Sequence, residues 1–417
     1  MVYVLNKDGK PLMPTARLGK VRHLLKEHKA IIVSYQPFTI RLTYECPNRV
    51  QEVSLGVDAG SKHVGLSATT KKKVLFEAQL ELRDDIPNKL VTRREFRRTR
   101  RTHKTRYRKP RFLNRVASKK HGWVAPSIRQ KIASHIYWID KIYSFLPIVH
   151  INVEIAQFDT QLLKAQDSNQ PIPQGSFYQQ GEQIGFWNVR EYVLFRDDHK
   201  CQCCKGKSKD PILNVHHIES RKTGGDAPNN LVTLCETCHK AYHLNKIQLP
   251  KAIKRGKSYK DATFMGIMRW RLMDALQVKY GNIVSHTYGY ITKHIRIENN
   301  LPKEHTIDAR CISGNPLAVA SDKYWIIRKV RANNRQLHKS TILKGGIRKS
   351  NQAPREVRGF QLWDSVTFGG VQCFISGRRT SGQFHIADIY GKILKDSVSH
   401  KKLTLLHHNN TNLMEII

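Results

Sequence analysis

An α+β protein of several domains is the fold class this sequence predicts, on three observations. Runs that alternate like strands are interleaved with helix-period runs through residues 1–158, and again through 262–320. An insert rich in cysteine and histidine interrupts them between 201 and 243. From about residue 330 the chain is strand-rich, with turns marked by KGG, FGG and SGRRTSG, which predicts a small β domain. With 417 residues and 40% apolar content, the chain can bury two or three cores.

Residues 1–50 predict a small α+β unit. VYVLN and AIIVSYQPFTIRLTY alternate as strands, and TARLGKVRHLLKEHKA is helical between them. Residues 51–83 open on a buried strand, EVSLGVDAG, followed by a second, KHVGLSATT. Residues 84–120 carry an Arg-rich segment. From 93 to 115, twelve of 23 residues are Lys or Arg and one is acidic, a density that no core can hold. It reads as a helix that contacts phosphates, with a disordered basic arm as the alternative. In 121–187, Ile128, Ile132, Ile136, Ile139, Ile142 and Leu146 recur at spacings of three and four, so SIRQKIASHIYWIDKIYSFLP is an amphipathic helix, with Ser127 to cap it and Pro147 to stop it. IVHINVEIAQF then reads as a buried strand, and the Gln-rich stretch 159–185 as a linker.

Lys plus Arg is 72 and Asp plus Glu is 33, a formal net charge of +39. A surface this basic repels itself in isolation and is complementary to a polyanion, which makes nucleic acid the expected partner. No run of 18 apolar residues is present, so no membrane span is expected. MVYVLNKDGKPLMP lacks the layout of a signal peptide, and Cys46, Cys203, Cys311 and Cys373 are scattered. Both favour a reducing, cytoplasmic setting and one metal site over a disulfide framework.

The insert, 188–262, holds the clearest chemistry. Cys201/Cys204 and Cys235/Cys238 form two C-x2-C pairs about thirty residues apart, the spacing of a closed tetrahedral Zn²⁺ site. Four thiolates leave no open position, so such a site is structural, and Cys203 is a bystander. The histidines need another role. His216 and His217 are adjacent after a strand-like ILNV, so their side chains point to opposite sides. His239 and His243 are i and i+4, on one helix face. The economical arrangement puts His216, His239 and His243 on a catalytic divalent metal, Mg²⁺, with His217 on a water.

A second constellation is split along the chain. GVDAGSKHVGLS places Asp58 at the end of a buried strand; the same D-x-G occurs in actin-like ATPases and sugar kinases. Glu154 interrupts the apolar run HINVEIA, where an unpaired carboxylate would be costly. In residues 263–325, LPKEHTIDARCIS sets His305 and Asp308 at i and i+3 on one helix face. Asp58, Glu154 and Asp308, with His305, can share two Mg²⁺ ions about 4 Å apart, a clamp for the attacking and leaving oxygens of a phosphodiester.

These segments resemble known families. VHHI, GGD and NNLVTLCETCHKAYH resemble the HNH (ββα-metal) nucleases. That resemblance implies that His217 is the general base and that Asn230 orients the loop or the base. The split carboxylates resemble the RuvC-type, RNase H-like α/β core. The whole order resembles the IscB family, transposon-encoded relatives of type II CRISPR effector nucleases: three RuvC-like segments, an Arg-rich bridge helix after the first and an HNH insertion after the second. KPLMPT, residues 10–15, is similar to that family's N-terminal PLMP motif. VTFGGVQCFISGRRTSGQFHI, within 326–417, is similar to its target-adjacent-motif-interacting region. The resemblance implies an RNA-guided DNA endonuclease, a monomer in a 1:1 complex with a structured guide RNA (ωRNA), acting in a prokaryotic cytoplasm and on the nucleoid when DNA-bound. It would take a double-stranded DNA target with an adjacent motif, HNH cutting the guide-paired strand and the RuvC-like site the displaced one. Arg97, Arg98, Arg100, Arg101, Arg106 and Arg108 would contact the guide backbone. Two other readings fit part of the chain: a protein-guided HNH homing or restriction-type endonuclease, and a non-catalytic RNA-binding protein.

Overall fold

The computed structural model describes residues 1–102, 124, 126–155, 186, 188–219, 226–255, 260–331, 343–347, 354–409 and 411–417. The chain divides into two compact units, one of Met1–Gln157 with Met265–Ile417 and the other of Phe158–Phe264. Of the Arg-rich candidates, Arg106 and Arg108 lie outside the described residues, as does the Gln-rich stretch 159–185.

In the first unit, β1 (Tyr3–Leu5), α1 (Leu18–Lys26), β2 (Ala30–Tyr35) and β3 (Phe38–Leu42) form the expected N-terminal α+β unit. Its sheet runs β1-β3-β2 over a core of Val2, Val4, Val21, Ala30, Ile40 and Leu42. KPLMPT lies antiparallel along β1, bridging at Val2–Thr15 and Leu5–Pro11. Tyr3 leaves this core for the next one: its hydroxyl donates to the Leu75 carbonyl at 3.0 Å and its ring lies 4.5 Å from that of Phe145.

The main sheet has seven strands. β4 (Val53–Asp58), β5 (His63–Thr69) and β6 (Val74–Glu81) form an antiparallel meander, and β7 (Ile148–Glu154) runs parallel to β4. Between β6 and β7 lie α2 (Ile86–Thr102) and α3 (Pro126–Phe145). The helix α3 starts at Pro126, so Ser127 stands inside its first turn and is not the cap; proline is favoured there because its missing N–H has no intrahelical partner to lose. The helix does end before Pro147, and Ile128, Trp138, Ile139, Ile142 and Phe145 are its buried stripe. The strand β6 was not apparent in the sequence, because VLFEAQLE carries two acids.

Period-two alternation sets the two faces of this sheet. Leu55, Val57, Val64, Leu66, Ala68, Ile151 and Val153 point to one face, where they pack with Ile139 and Ile142 of α3. Each Val, Leu or Ile among them, fully removed from water, contributes about 1.5–3 kcal/mol. The intervening positions, Gly56, Asp58, Gly65, Ser67, Thr69, Asn152 and Glu154, fall on the other face.

The second unit contributes α4 (Val189–Arg196), β8 (Leu213–His217), β9 (Leu231–Cys235) and α5 (Glu236–His243), an antiparallel hairpin followed by a helix. The chain then continues through α6 (Lys260–Tyr280), β10 (Val284–Thr287), α7 (Gly289–Glu298), α8 (His305–Ile312) and β11 (Trp325–Lys329). The helix α8 covers the second face of the sheet. It can do so because β4 and β5 carry glycine beneath it: a Cβ at Gly56 or Gly65 would run into the main-chain oxygens of Ala309 and His305.

The C-terminal region forms β12 (Glu356–Val357) and β13 (Phe360–Gln361), then β14 (Ser365–Phe368), β15 (Val371–Arg378), β16 (Gln383–Ala387), β17 (Ile393–Ser399), β18 (Thr404–His407) and β19 (Asn412–Ile416). Five of these make an antiparallel sheet, ordered β17-β16-β15-β14-β18, over a core that includes Val366, Ile375, Phe384 and Val398. The FGG signal is its β14–β15 turn, where Gly369 and Gly370 both take positive φ, as a two-residue primed turn requires. β11 and β19 pair with each other and complete the main sheet, whose order is β10-β7-β4-β5-β6-β11-β19. The division the sequence draws at residue 326 therefore falls inside β11, a strand of the main sheet.

Candidate functional site

Among the described residues, functional side chains gather in one group in the first unit and in two groups in the second. In the first unit, β4 and β7 are parallel and in register, so Asp58 and Glu154 are direct partners at the ends of both strands. Opposite them, α8 brings His305 at its first position, and His305 Nδ1 lies 2.6 Å from Asp58 Oδ2. Asp308 follows one turn later and pairs with Arg296 of α7, Nε to Oδ1 at 3.0 Å. The four residues expected from three distant segments thus share one end of the sheet. Asp58, Glu154 and Asp308 do not converge to within 4.8 Å as a single ligand set, whereas two groups in the second unit do.

The helix α8 is fixed by buried polar contacts that the sequence did not reveal. Arg310 donates two hydrogen bonds to Glu77 on β6, at 2.8 and 3.0 Å, and the Ser67 hydroxyl donates a third at 3.1 Å. Asn152 Nδ2 donates to the Ile312 carbonyl at 3.1 Å, and the Thr69 and Ser313 hydroxyls are 2.8 Å apart. A paired, hydrogen-bonded charge is tolerated inside where a lone one is not.

The electrostatics follow from crowding three acids in a half-buried place. Burial pushes the Glu154 carboxyl up to about 7; Asp58 and Asp308 add to the rise, while Thr292 and His305 oppose it. Burial and Asp58 likewise raise Asp308. The hydrogen bond to Asp58 raises His305, favouring its protonated form. Gly289 opens α7 against Glu154, where a Cβ would lie 2.9 Å from Oε1. Protonating Glu154, protonating His305 and pairing Arg296 are three ways of compensating negative charge that a bound cation would neutralise. The donor set therefore fits a hard divalent ion such as Mg²⁺.

In the second unit, all four sulfurs of Cys201, Cys204, Cys235 and Cys238 lie within 4.8 Å of one another. Cys235 caps α5, its Sγ accepting the Cys238 N–H at 3.4 Å, so the second pair sits on the helix's first turn. The Ser208 hydroxyl lies 3.3 Å from Cys204 Sγ and 3.2 Å from Cys235 Sγ. That hydroxyl brings Cys204 down to about 6, while burial pushes Cys201 and Cys238 up. Four converging sulfurs with Cys204 Sγ and Cys235 Sγ 3.8 Å apart fit a tetrahedral thiolate-bound cation. Cys203 does not join them and packs against their apolar surround.

The histidines form the second group. His216, His239 and His243 offer ring nitrogens within 4.8 Å of one another, and the Nε2 atoms of His239 and His243 are 3.2 Å apart. His216 Nε2 is buried without a hydrogen-bond partner. Burial, then repulsion from His239 and His243, brings His216 down to about 4, and burial with His243 lowers His239. Neutral imidazoles aimed at one point, one of them otherwise unsatisfied, fit a cation between them.

His217 faces away from this group, as adjacent strand positions must. Its Nε2 lies 2.9 Å from Asp226 Oδ1. A carboxylate only accepts, so Nε2 is the ring nitrogen that donates to it. Asp226 is the acid of the GGD signal, whose role the pattern alone does not disclose. Asn230 is fully buried, and both ends of its amide are taken by the Glu219 main chain: Oδ1 accepts the N–H at 2.8 Å and Nδ2 donates to the carbonyl at 3.0 Å. It lies just before β9 and so ties that strand's start to the main chain two residues beyond β8.

Arg97 and Arg98 lie on α2; Arg100 and Arg101 occupy its backbone near the end. Among the described residues, no helix is long and apolar enough to cross a membrane.

Comparison with known proteins bears on both units. Residues 201–244 match the HNH endonuclease family, and residues 2–181 match the family described as RRXRR protein. The chain reads RRTRR at 97–101. No curated protein matches the chain at a significant level. Solved structures that resemble it include Streptococcus thermophilus Cas9 in complex with the GGAA PAM (13% identity, TM-score 0.30, 47% of this chain and 26% of that one). Cas9 of the same organism with the AGAA PAM is 12% identical at a TM-score of 0.32, over 63% and 32% of the two chains. The chain spans about a third or less of the length of these structures. Residues 201–244 thus form an HNH endonuclease domain.

Proposed function

We propose that this protein is an RNA-guided DNA endonuclease of the IscB type, with an HNH centre and a RuvC-like centre that cut different strands. The observation that carries the reading is the meeting of Asp58, Glu154, His305 and Asp308, from three distant segments, at the ends of β4 and β7. Three antiparallel strands followed by two parallel ones, β6-β5-β4-β7-β10, is an RNase H-like order, and the HNH-matching unit is inserted between the segments that bring Glu154 and Asp308.

In the second unit, Cys201, Cys204, Cys235 and Cys238 hold Zn²⁺ and fix the hairpin on α5. His216, His239 and His243 hold the catalytic Mg²⁺, which supplies positive charge for the scissile phosphate and the leaving oxygen. His217 Nδ1 takes the proton of the attacking water, and Asp226 holds the ring in the tautomer that leaves that nitrogen free. In the first unit, Asp58, Glu154 and Asp308 hold a metal pair of the same function, with His305 placed to move a proton beside Asp58. The basic surface and the Arg-rich helix suit a guide RNA and its heteroduplex, which a protein recognises by backbone and shape.

The protein purified with its RNA should cut a plasmid carrying the sequence matched by that RNA beside a suitable adjacent motif. Replacing the guide segment should redirect the cut. Cutting that follows the DNA sequence whatever the RNA would favour a protein-guided HNH endonuclease instead.

A further inference from the structure

Four aromatic rings lead away from Glu154. The strand β10 pairs with β7 so that Thr287 is the partner of Glu154, and the chain then turns into α7 with Gly289 against the Glu154 carboxylate. The sequence across this turn is HTYGY, residues 286–290. The rings of Tyr288 and Tyr290 are 6.0 Å apart and nearly parallel, at 11°. Tyr288 meets His286 edge-on at 5.5 Å, and His286 meets Trp270 of α6 at 5.9 Å. The Arg269 guanidinium lies 5.6 Å from the centre of the Trp270 ring.

Only Tyr288 of these packs against the main core. Tyr290 is 72% exposed and Trp270 46%, so core packing does not account for the row. Large rings in water are unfavourable when isolated, and a contiguous row marks a contact surface. Its neighbours select the ligand: it begins beside a carboxylate site, ends at an arginine and belongs to a chain of net charge +39.

We propose that Trp270, His286, Tyr288 and Tyr290 form a stacking platform for the bases of an unpaired DNA strand, feeding its backbone to Asp58, Glu154 and Asp308. This rests on the nuclease reading of that site. In a duplex each base face is covered by its neighbours, so exposed rings can stack only on a strand that has been opened. Every base has such a face, so the platform holds the strand without reading its sequence.

The full chain with its RNA is tested for binding to a fluorescent oligo-dT and to an abasic oligonucleotide of the same length, in Mg²⁺-free buffer where no cutting occurs. The oligo-dT should bind roughly tenfold more tightly, because stacking adds to phosphate contact. Trp270→Ala with Tyr290→Ala should abolish most of that preference and leave abasic affinity unchanged, whereas Trp270→Phe with Tyr290→Phe should keep it. A 5-iododeoxyuridine oligonucleotide should crosslink within residues 270–290. Equal affinity for both oligonucleotides, as expected if the row docks an apolar protein segment, overturns the proposal. So does an unchanged preference in the Ala pair, a loss shared by the Phe pair, or crosslinking only elsewhere. Binding is read without cleavage, so this result is independent of whether Asp58 acts in a nuclease.

Discussion

Asp58 and Glu154, nearly a hundred residues apart in sequence, are register partners on adjacent parallel strands and end on the same face of the sheet. If they hold one metal pair, removing either should affect one strand of the DNA only. Asp58→Ala and Glu154→Gln should each slow cutting of the displaced strand by about 10²–10³, the range for losing one electrostatic contact to a transition state. Cutting of the guide-paired strand should continue. Strand-resolved denaturing gels read the outcome, and unchanged cutting of both strands by Asp58→Ala would remove the RuvC-like assignment.

The same carboxylates predict a pH dependence. The Glu154 carboxyl is pushed up to about 7, and a metal ligand must be deprotonated. A raised carboxyl pKa means that protons compete with the metal below about pH 7 and do not above it. The Mg²⁺ concentration for half-maximal cutting of the displaced strand should therefore rise about tenfold between pH 8 and pH 6. Titrating Mg²⁺ at the two pH values checks this. A flat response would mean that Glu154 does not limit metal binding.

For the other strand the residue to change is His217. His217→Ala should leave nicking only on the displaced strand, and combined with Asp58→Ala it should give a protein that binds guide and target but cuts neither. Asp226→Asn tests the orienting carboxylate. An amide can donate to the ring where the carboxylate only accepted, so the tautomer is no longer fixed. Cutting of the guide-paired strand should fall by about 10–100-fold, as for other orienting groups. Target affinity should not change, which separates this loss from damage to the DNA-binding surface.

Much of this was legible in sequence because the chemistry is local or breaks a local rule. The two C-x2-C pairs, the i, i+4 histidines and an acid inside HINVEIA each stand out against their surroundings. The contacts that position α8 do not. Glu77 looks like a surface acid in VLFEAQLE until β6 is known to be an inner strand and Arg310 its partner from 233 residues away. The role of Gly56 and Gly65 in admitting α8 is also a fact of packing that no one-dimensional pattern carries. Asp226 lies within a recognised signal, yet nothing in the pattern places its carboxylate beside His217. The return of β11 and β19 to the main sheet depends on long-range pairing, which periodicity does not encode.

The sulfur cluster predicts a local unfolding. Cys235 contributes a sulfur to the group and also caps α5, so Cys235→Ser weakens both. Binding energy of a structural zinc is folding energy for the segment it ties together. The variant should lose the zinc that the parent holds at one per chain by elemental analysis. Protease should then cut within 188–262 while the main sheet resists, since its core of Leu55, Leu66, Ile139 and Ile151 has no share in the cluster. A zinc-free protein with full activity on the guide-paired strand would count against the assignment.

The Arg-rich helix gives a prediction that separates RNA guidance from protein guidance. Arg97, Arg98, Arg100 and Arg101 fall within α2, whose charge density leaves phosphate as the natural partner. Each phosphate contact releases condensed counterions, so each arginine lost should reduce both affinity and its dependence on salt. Changing all four to Ala should flatten the plot of log affinity for the co-purifying RNA against log salt by about 3. In the guided reading, target cutting falls with RNA binding, and saturating RNA restores part of it. If the protein reads DNA by itself, cutting survives the loss of RNA. Filter binding over a salt series, with cleavage measured at limiting and at saturating RNA, distinguishes the two, and an unchanged slope would place the guide on another surface.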